Sequence, residues 1–237
     1  MRHYEHLQCG PDRLRLGPWR SDPHTGELAA VLTDRPLRPE SVERGVAVLA
    51  ERGYQRIVTN ALTAAEQQGY LAVGFSVQER LHLLSHDLTD IPDPPAPHRL
   101  RRARRRDRER ILAVDGAAFD PFWRLDRAGL LDAIGATPAS RVRVGGGSPL
   151  VGYAVTGRAG TRGYLQRLAV HPDAQGQGLG SALVVDALRW LRRHRCALAM
   201  VNTQEVNTGA FALYQGLGFR ARPEGLAVLQ LDVGSPR

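Results

Sequence analysis

Three glycines at alternate positions, Gly176, Gly178 and Gly180, lie in HPDAQGQGLGSALVVDALRWL (His171 to Leu191), between a strand-like run ending LAV and a long apolar helix. Fixing a glycine costs backbone entropy, so three so close together imply a chain that curls tightly or is closely approached. Successive amides in such a turn converge on one point. The helix behind them adds partial positive charge, and together they can seat an anion such as a pyrophosphate. A P-loop needs a lysine after its last glycine, and the chain contains no lysine. The G-x-G-x-x-G fingerprint fits poorly, because Ser181 stands where the last glycine should be. What remains is Q-x-x-G-x-G, which makes Gln175, Gly176, Gln177, Gly178, Leu179, Gly180 and Ser181 the candidate anion-binding residues. A tight strand-to-helix turn that holds nothing is the bland alternative.

The elements that would position this turn follow from periodicity. Leu183, Val184, Leu188 and Leu191 recur at helical spacing and predict a helix over residues 181–194. Upstream, residues 140–144, 149–156 and 163–170 are strand-like and separated by GGGS and GRAGTR turns, which predicts an antiparallel meander. Residues 197–203 form a short buried strand, 208–216 a helix closed by Leu217-Gly218, and Phe219 onward a last pair of strands ending at Val233. The arginine run is read as a strand through Ala103, followed by Asp107 as N-cap of a helix over 108–119, which Asp120-Pro121 ends. A second helix spans about 126–134.

Composition sets the class. At 237 residues and 43% hydrophobic, the chain can bury one large core or two small ones. It contains no run of roughly 18 uncharged apolar residues, so no membrane partner and a cytoplasmic location are expected. Cys9 and Cys196 are far apart and have no histidine at ligand spacing, so neither a disulfide framework nor a metal is expected. Cys9 is placed near a mobile terminus and Cys196 in a core strand.

Of the net charge of +8, the stretch RLRRARRRDRER (Arg99 to Arg110) carries +6. It has no interleaved aromatics and coincides with a strand and a helix start, so nucleic acid is not expected as a partner.

IPDPPAPH (Ile91 to His98) holds four prolines in eight residues and marks an extended linker between residues 1–90 and 99–237. A shift of 144 lays IVTNALTAAEQQGYLAVGF (Ile57 to Phe75) over VNTQEVNTGAFALYQGLGF (Val201 to Phe219), with Tyr70 on Tyr214 and Gly74-Phe75 on Gly218-Phe219. The first half is therefore a partial copy of the second. In place of the glycine loop it has LTDRPLRPESVERG, and proline removes the amide a phosphate would need, so the first unit is not expected to bind the ligand in the same way.

From Arg99 to Val233 the chain resembles the GNAT superfamily of acetyl-CoA-dependent N-acetyltransferases. The resemblance rests on RRARRRDRERI, on RLAVHPDAQGQGLGSALV, and on Asn207, Ala210, Tyr214, Gly218 and Phe219 as an N-x-x-A-x-x-x-Y-x-x-x-G-F segment. It implies an α/β fold with a mixed, mostly antiparallel central sheet flanked by helices, preceded here by a partial GNAT-like half. It implies acetyl-CoA as co-substrate, with its arm pairing to main chain at Leu168, Ala169 and Val170, its pyrophosphate on Gln175 to Ser181, Asn207 beside the thioester and Tyr214 facing the sulfur. A phenol so placed can protonate the thiolate that leaves when an amine attacks the thioester. An aromatic on a helix is also an ordinary core residue, and Tyr70 occupies the same place without the loop.

The acceptor amine must be neutral to attack. The two splayed strands carry Gln166 and Asn202 where relatives carry a carboxylate, leaving Glu205 and Asp120 as nearby candidates for the base, with a solvated carboxylate as the bland alternative for each. A site without a strong base suits a small-molecule or peptide α-amine, which is about one tenth neutral at pH 7, over a lysine, neutral about once in a few thousand. Phe122 and Trp123, at the junction of the two helices after the linker, are the candidate acceptor-lining residues. The pairing of a degenerate copy with a complete one also resembles the tandem organisation of mycothiol synthases, whose acceptor is a cysteinyl sugar. A CoA-binding module without catalysis is the other alternative.

Overall fold

The 144-residue offset becomes a repeat of elements in the computed structural model, which describes residues 4–20, 22–31, 35–147 and 149–234. Leu32, Thr33, Asp34 of the proline-bearing segment and Ser148 of the GGGS turn lie outside the described residues. The chain divides into two units. Unit 1 is Met1–Leu83 with Gln204–Val206 and Pro223–Arg237; unit 2 is Leu84–Thr203 with Asn207–Arg222.

In unit 1, β1 (Glu5–Cys9), β2 (Asp12–Pro18) and β3 (Thr25–Ala30) form an antiparallel meander. Helix α1 (Pro39–Glu51) then carries the chain to β4 (Arg56–Val58), parallel to β3, and α2 (Ala64–Ala72) leads to β5 (Ser76–His86). Leu14, Leu16, Leu28, Val42, Leu49 and Ile57, all fully buried, fill the core between the sheet and α1. Cys9, expected near a mobile end, closes β1 and is buried in this core.

Unit 2 opens with β6 (Leu100–Arg102), α3 (Arg108–Ala118) and α4 (Arg127–Gly135). The meander β7 (Ala139–Gly145), β8 (Gly152–Ala159) and β9 (Arg162–Val170) follows, then α5 (Leu179–Arg193), β10 (Leu198–Gln204) parallel to β9, α6 (Thr208–Gly216) and the short β11 (Arg220–Ala221). The strand order is β10-β9-β8-β7-β6. Residues 152–157 of β8 are buried throughout, because both faces of the sheet are covered. Ala154 faces Leu183, Leu188 and their neighbours on α5 and α6, while Tyr153 and Val155 face Ile111, Val114 and Leu130 on α3 and α4. The ladder of β8 begins at Gly152, opposite Gly145, because the preceding residues form a turn through Gly146 at φ +88°. Strand β12 (Leu226–Asp232) ends the fold in unit 1, between β4 and β5.

Three expectations change. The last two strands do not pair with each other; β12 lies against β4 and β5, and β11 against β5. The division at residues 90 and 99 gives way to one in which Pro223–Arg237 groups with unit 1, because strand pairing, not chain order, decides which core a segment joins. Asp107 precedes α3 as expected, but its carboxylate does not cap that helix. It accepts two bonds from Arg101, at 2.6 and 2.8 Å, and one from the Arg104 N–H at 2.7 Å, and this pairing holds its pKa well below the usual carboxylate range.

Helices α2 and α6 begin and end at positions 144 residues apart. Thr63 caps the first by accepting from the Glu66 N–H, and Asn207 caps the second by accepting from the Ala210 N–H at 3.0 Å. Both helices end at a left-handed glycine, Gly74 at φ +95° and Gly218 at φ +87°, where only glycine escapes a Cβ clash. The phenylalanine after each folds back on the tyrosine of the helix, with centroids 5.3 Å apart for Tyr70 and Phe75 and 5.5 Å for Tyr214 and Phe219.

Candidate active site

Strands β9 and β10 are in parallel register at Arg162–Tyr164 and Leu198–Met200, and beyond that they part. A bulge helps to open them: between Val155 and Thr156 of β8 the register slips, so that Gln166 is the extra residue on β9. An inserted residue bends its strand and increases the local twist. A cavity of about 490 Å³ lies at the end of β9, lined by unit 2 residues from that strand, the turn into α5, and α6.

Leu168, Ala169, Val170, Gln175, Gly176, Gly178, Leu179, Gly180, Ser181 and Asn207 all line it; Gln177 and Tyr214 do not. The turn is tied to the end of β9 by the Gln175 Nε2, which donates to the Val170 carbonyl at 3.1 Å. Gly176 and Gly178 take φ +73° and +84°, so any side chain there would be strained. Gly178 is the N-cap of α5 and, having no side chain, leaves the first amides of that helix uncapped. Helices α2, α4 and α6, by contrast, are capped by Thr63, Asp126 and Asn207.

Among the described residues, no acidic or basic side chain lines this cavity. Its attraction for an anion therefore comes from the main-chain amides and the roughly half-unit positive charge of the α5 terminus. A pyrophosphate group fits such a seat. Because the Asn207 Oδ1 caps α6, the group it can offer to a ligand is its Nδ2.

Tyr214 lies in the core, 4% exposed and packed on Phe219. Burial pushes its phenol well above the usual value, against a smaller opposing effect of Arg167, so it holds its proton throughout the neutral range. From the start of α6 the wall takes Asn207, Gly209, Ala210 and Leu213, and Tyr214 is one step further round the helix than Leu213. Glu205 is exposed and does not line the cavity; it groups with unit 1, where its N–H donates to the Arg80 carbonyl. Asp120 and Asn202 are also exposed and absent from the wall, and Gln166 points toward Thr137 at 3.4 Å.

Phe122 and Trp123 form a short 3₁₀ turn, their rings edge to face at 5.1 Å, and do not reach the cavity. Phe119 and Ala118, at the end of α3, reach it instead. The Arg167 guanidinium stacks on the Phe119 ring at 3.5 Å and donates to the Trp123 carbonyl at 2.7 Å. It also pairs in two bonds, at 2.7 and 2.9 Å, with the fully buried Asp115, which accepts from Tyr153 Oη at 2.5 Å and the Leu125 N–H at 2.7 Å. Asp115 is thus fully engaged in holding the segment after α3 and is not a base.

Sequence reasoning missed Pro95, Ala118, Phe119, Ala174, Gly209 and Leu213. Helical spacing from Asn207 and Ala210 carried a signal for Leu213; nothing in the local sequence of Pro95 pointed to this wall.

The profile of the Acetyltransferase (GNAT) family matches residues 97–219, so the chain belongs to that family. The mycothiol acetyltransferase of Acidothermus cellulolyticus is 42% identical over 78 residues, which are 31% of this chain and 24% of that relative. The match thus spans about a quarter of that relative's length. The mycothiol acetyltransferase of Mycobacterium marinum is 26% identical over 258 aligned positions, covering 91% of this chain and 79% of the relative. A tandem GNAT protein from the clavulanic acid biosynthesis pathway shares the fold with a TM-score of 0.66 at 15% identity, over 97% of this chain and 82% of that one. Among the described residues, no helix is long and apolar enough to cross a membrane, and no group of three or more His, Cys, Asp or Glu could hold a metal ion.

Proposed function

We propose that this chain transfers an acetyl group from acetyl-CoA to a primary amine by direct attack on the thioester. The observation that carries the proposal is the cavity at the end of β9, whose anion seat is made of the uncapped amides of α5. The diphosphate sits on residues 175–181, the arm runs along Leu168, Ala169 and Val170, and the Asn207 Nδ2 donates beside the thioester. Tyr214 is the proposed proton donor to the departing thiolate: it is protonated at neutral pH and follows Leu213, a wall residue.

The absence of a carboxylate from the wall favours an amine that supplies its own neutral fraction. An α-amine does so, and the cysteinyl sugar that the mycothiol acetyltransferase relatives suggest carries one. The test is release of free thiol from acetyl-CoA in the presence of amine panels that include cysteinyl glycosides, peptides with free N-termini and lysine derivatives. Turnover confined to α-amines, rising with pH until the acceptor's own pKa is passed, is the expected result. No thiol release with any amine, or a preference for lysine side chains, would overturn it.

A further inference from the structure

The proline-rich stretch from Ile91 to His98 packs within unit 2 against α5. Arg192 donates to the Thr89 carbonyl at 3.3 Å, Arg189 pairs with Asp93, and Pro95 forms part of the cavity wall. At the glycine turn, His98 Nε2 lies 2.8 Å from the Gln177 carbonyl oxygen. That oxygen can only accept, so Nε2 carries the proton and donates. A Cβ on Gly178 would meet Pro95 at 3.3 Å and Ala96 and His98 at 3.5 Å. Gly178 is therefore constrained twice, by its left-handed backbone and by the proline segment lying against it.

The peptide joining Gln177 to Gly178 is planar, and in the trans form its carbonyl and its N–H point in opposite directions. A donor that grips the carbonyl fixes the direction of the N–H. Gln177 itself does not line the cavity, whereas Gly178 does, as expected if the carbonyl side of this peptide faces away from the ligand. We propose that His98 is a positioning residue for the pyrophosphate turn: it holds the Gln177 carbonyl and thereby aims the Gly178 amide into the groove, making the proline segment a working part of the acyl-CoA seat. The proposal rests on the reading of the cavity as that seat.

The test compares two acyl donors by calorimetry and steady-state kinetics: acetyl-CoA, and S-acetylpantetheine, which lacks the pyrophosphate. His98→Ala should weaken acetyl-CoA binding about tenfold, equivalent to about 1.4 kcal/mol, raise its KM in step and leave kcat unchanged. Binding of S-acetylpantetheine should not move. His98→Gln, whose Nε2 can still donate, should recover most of the loss. If the alanine variant does not fold, His98→Phe, which keeps a ring against the prolines but no donor, takes its place. Unchanged acetyl-CoA affinity in a folded variant, or equal weakening for both donors, overturns the proposal while leaving the cofactor reading intact. Failure of the unaltered chain to bind acetyl-CoA overturns that reading, and this proposal with it.

Discussion

Helices α1 and α5 each follow the third strand of a meander and lead to a strand parallel to it, yet their first turns are treated in opposite ways. At α5 the amides are uncapped and face a cavity of about 490 Å³. At α1 a carboxylate of the protein itself binds Arg38, the residue before the helix, and the Ser41 side chain in its first turn. The carboxylate of Asp12, 2% exposed, accepts from Ser41 Oγ at 2.6 Å, from the Arg38 N–H at 3.3 Å and Nε at 3.2 Å, and from Arg35 at 2.6 Å. Burial alone would raise its pKa, but these donors together hold it below the usual carboxylate value.

The crevice itself is also narrowed in unit 1. The Leu37 carbonyl would lie 2.1 Å from a Cβ on Gly69, the residue 144 before Leu213, so the chain ahead of α1 rests directly on α2. A cavity of only about 170 Å³ remains beside Tyr70. The same succession of elements leaves an open cavity in one unit and a largely filled one in the other, according to whether a glycine turn or an anchored proline segment precedes the helix.

The tyrosines test this contrast most strongly. Tyr214→Phe should lower kcat about a hundredfold, the scale of a lost proton donor, while Tyr70→Phe leaves turnover unchanged; equal and slight effects in thiol-release assays would make both residues structural. Next, Gly180→Pro copies into α5 the kind of residue that Pro39 supplies at the start of α1. First-turn amides need no helical acceptor, so the helix should survive, but acetyl-CoA affinity measured by calorimetry should fall about tenfold with the loss of one anion-binding N–H.

The smallest effect on function, though not on stability, is expected from Asp12→Ala. It should cost about 1–3 kcal/mol in denaturant unfolding at pH 7 and leave binding at one acetyl-CoA per chain. Because the folded pKa is depressed, the stabilisation by Asp12 is fully present above the unfolded value of about 3.9 and is lost as pH falls through the folded one. The two proteins should therefore converge in stability in acid. A second bound acetyl-CoA in the variant would show that Asp12 alone had blocked the seat of unit 1.

Residue order alone determined the meander, the glycine turn before α5, the repeat that joins α2 to α6, and most of the cavity wall. These are local matters, set by backbone freedom at glycine, apolar spacing and the contacts of near neighbours. Only the tertiary structure decided that Pro95 and Phe119 complete the wall, that Phe122, Trp123 and Glu205 stay out of it, that Asp107 turns back to Arg101, and that β12 belongs with unit 1. Each of those outcomes depends on which distant surface a segment is pressed against, and a linear pattern carries no record of the partner that buries it.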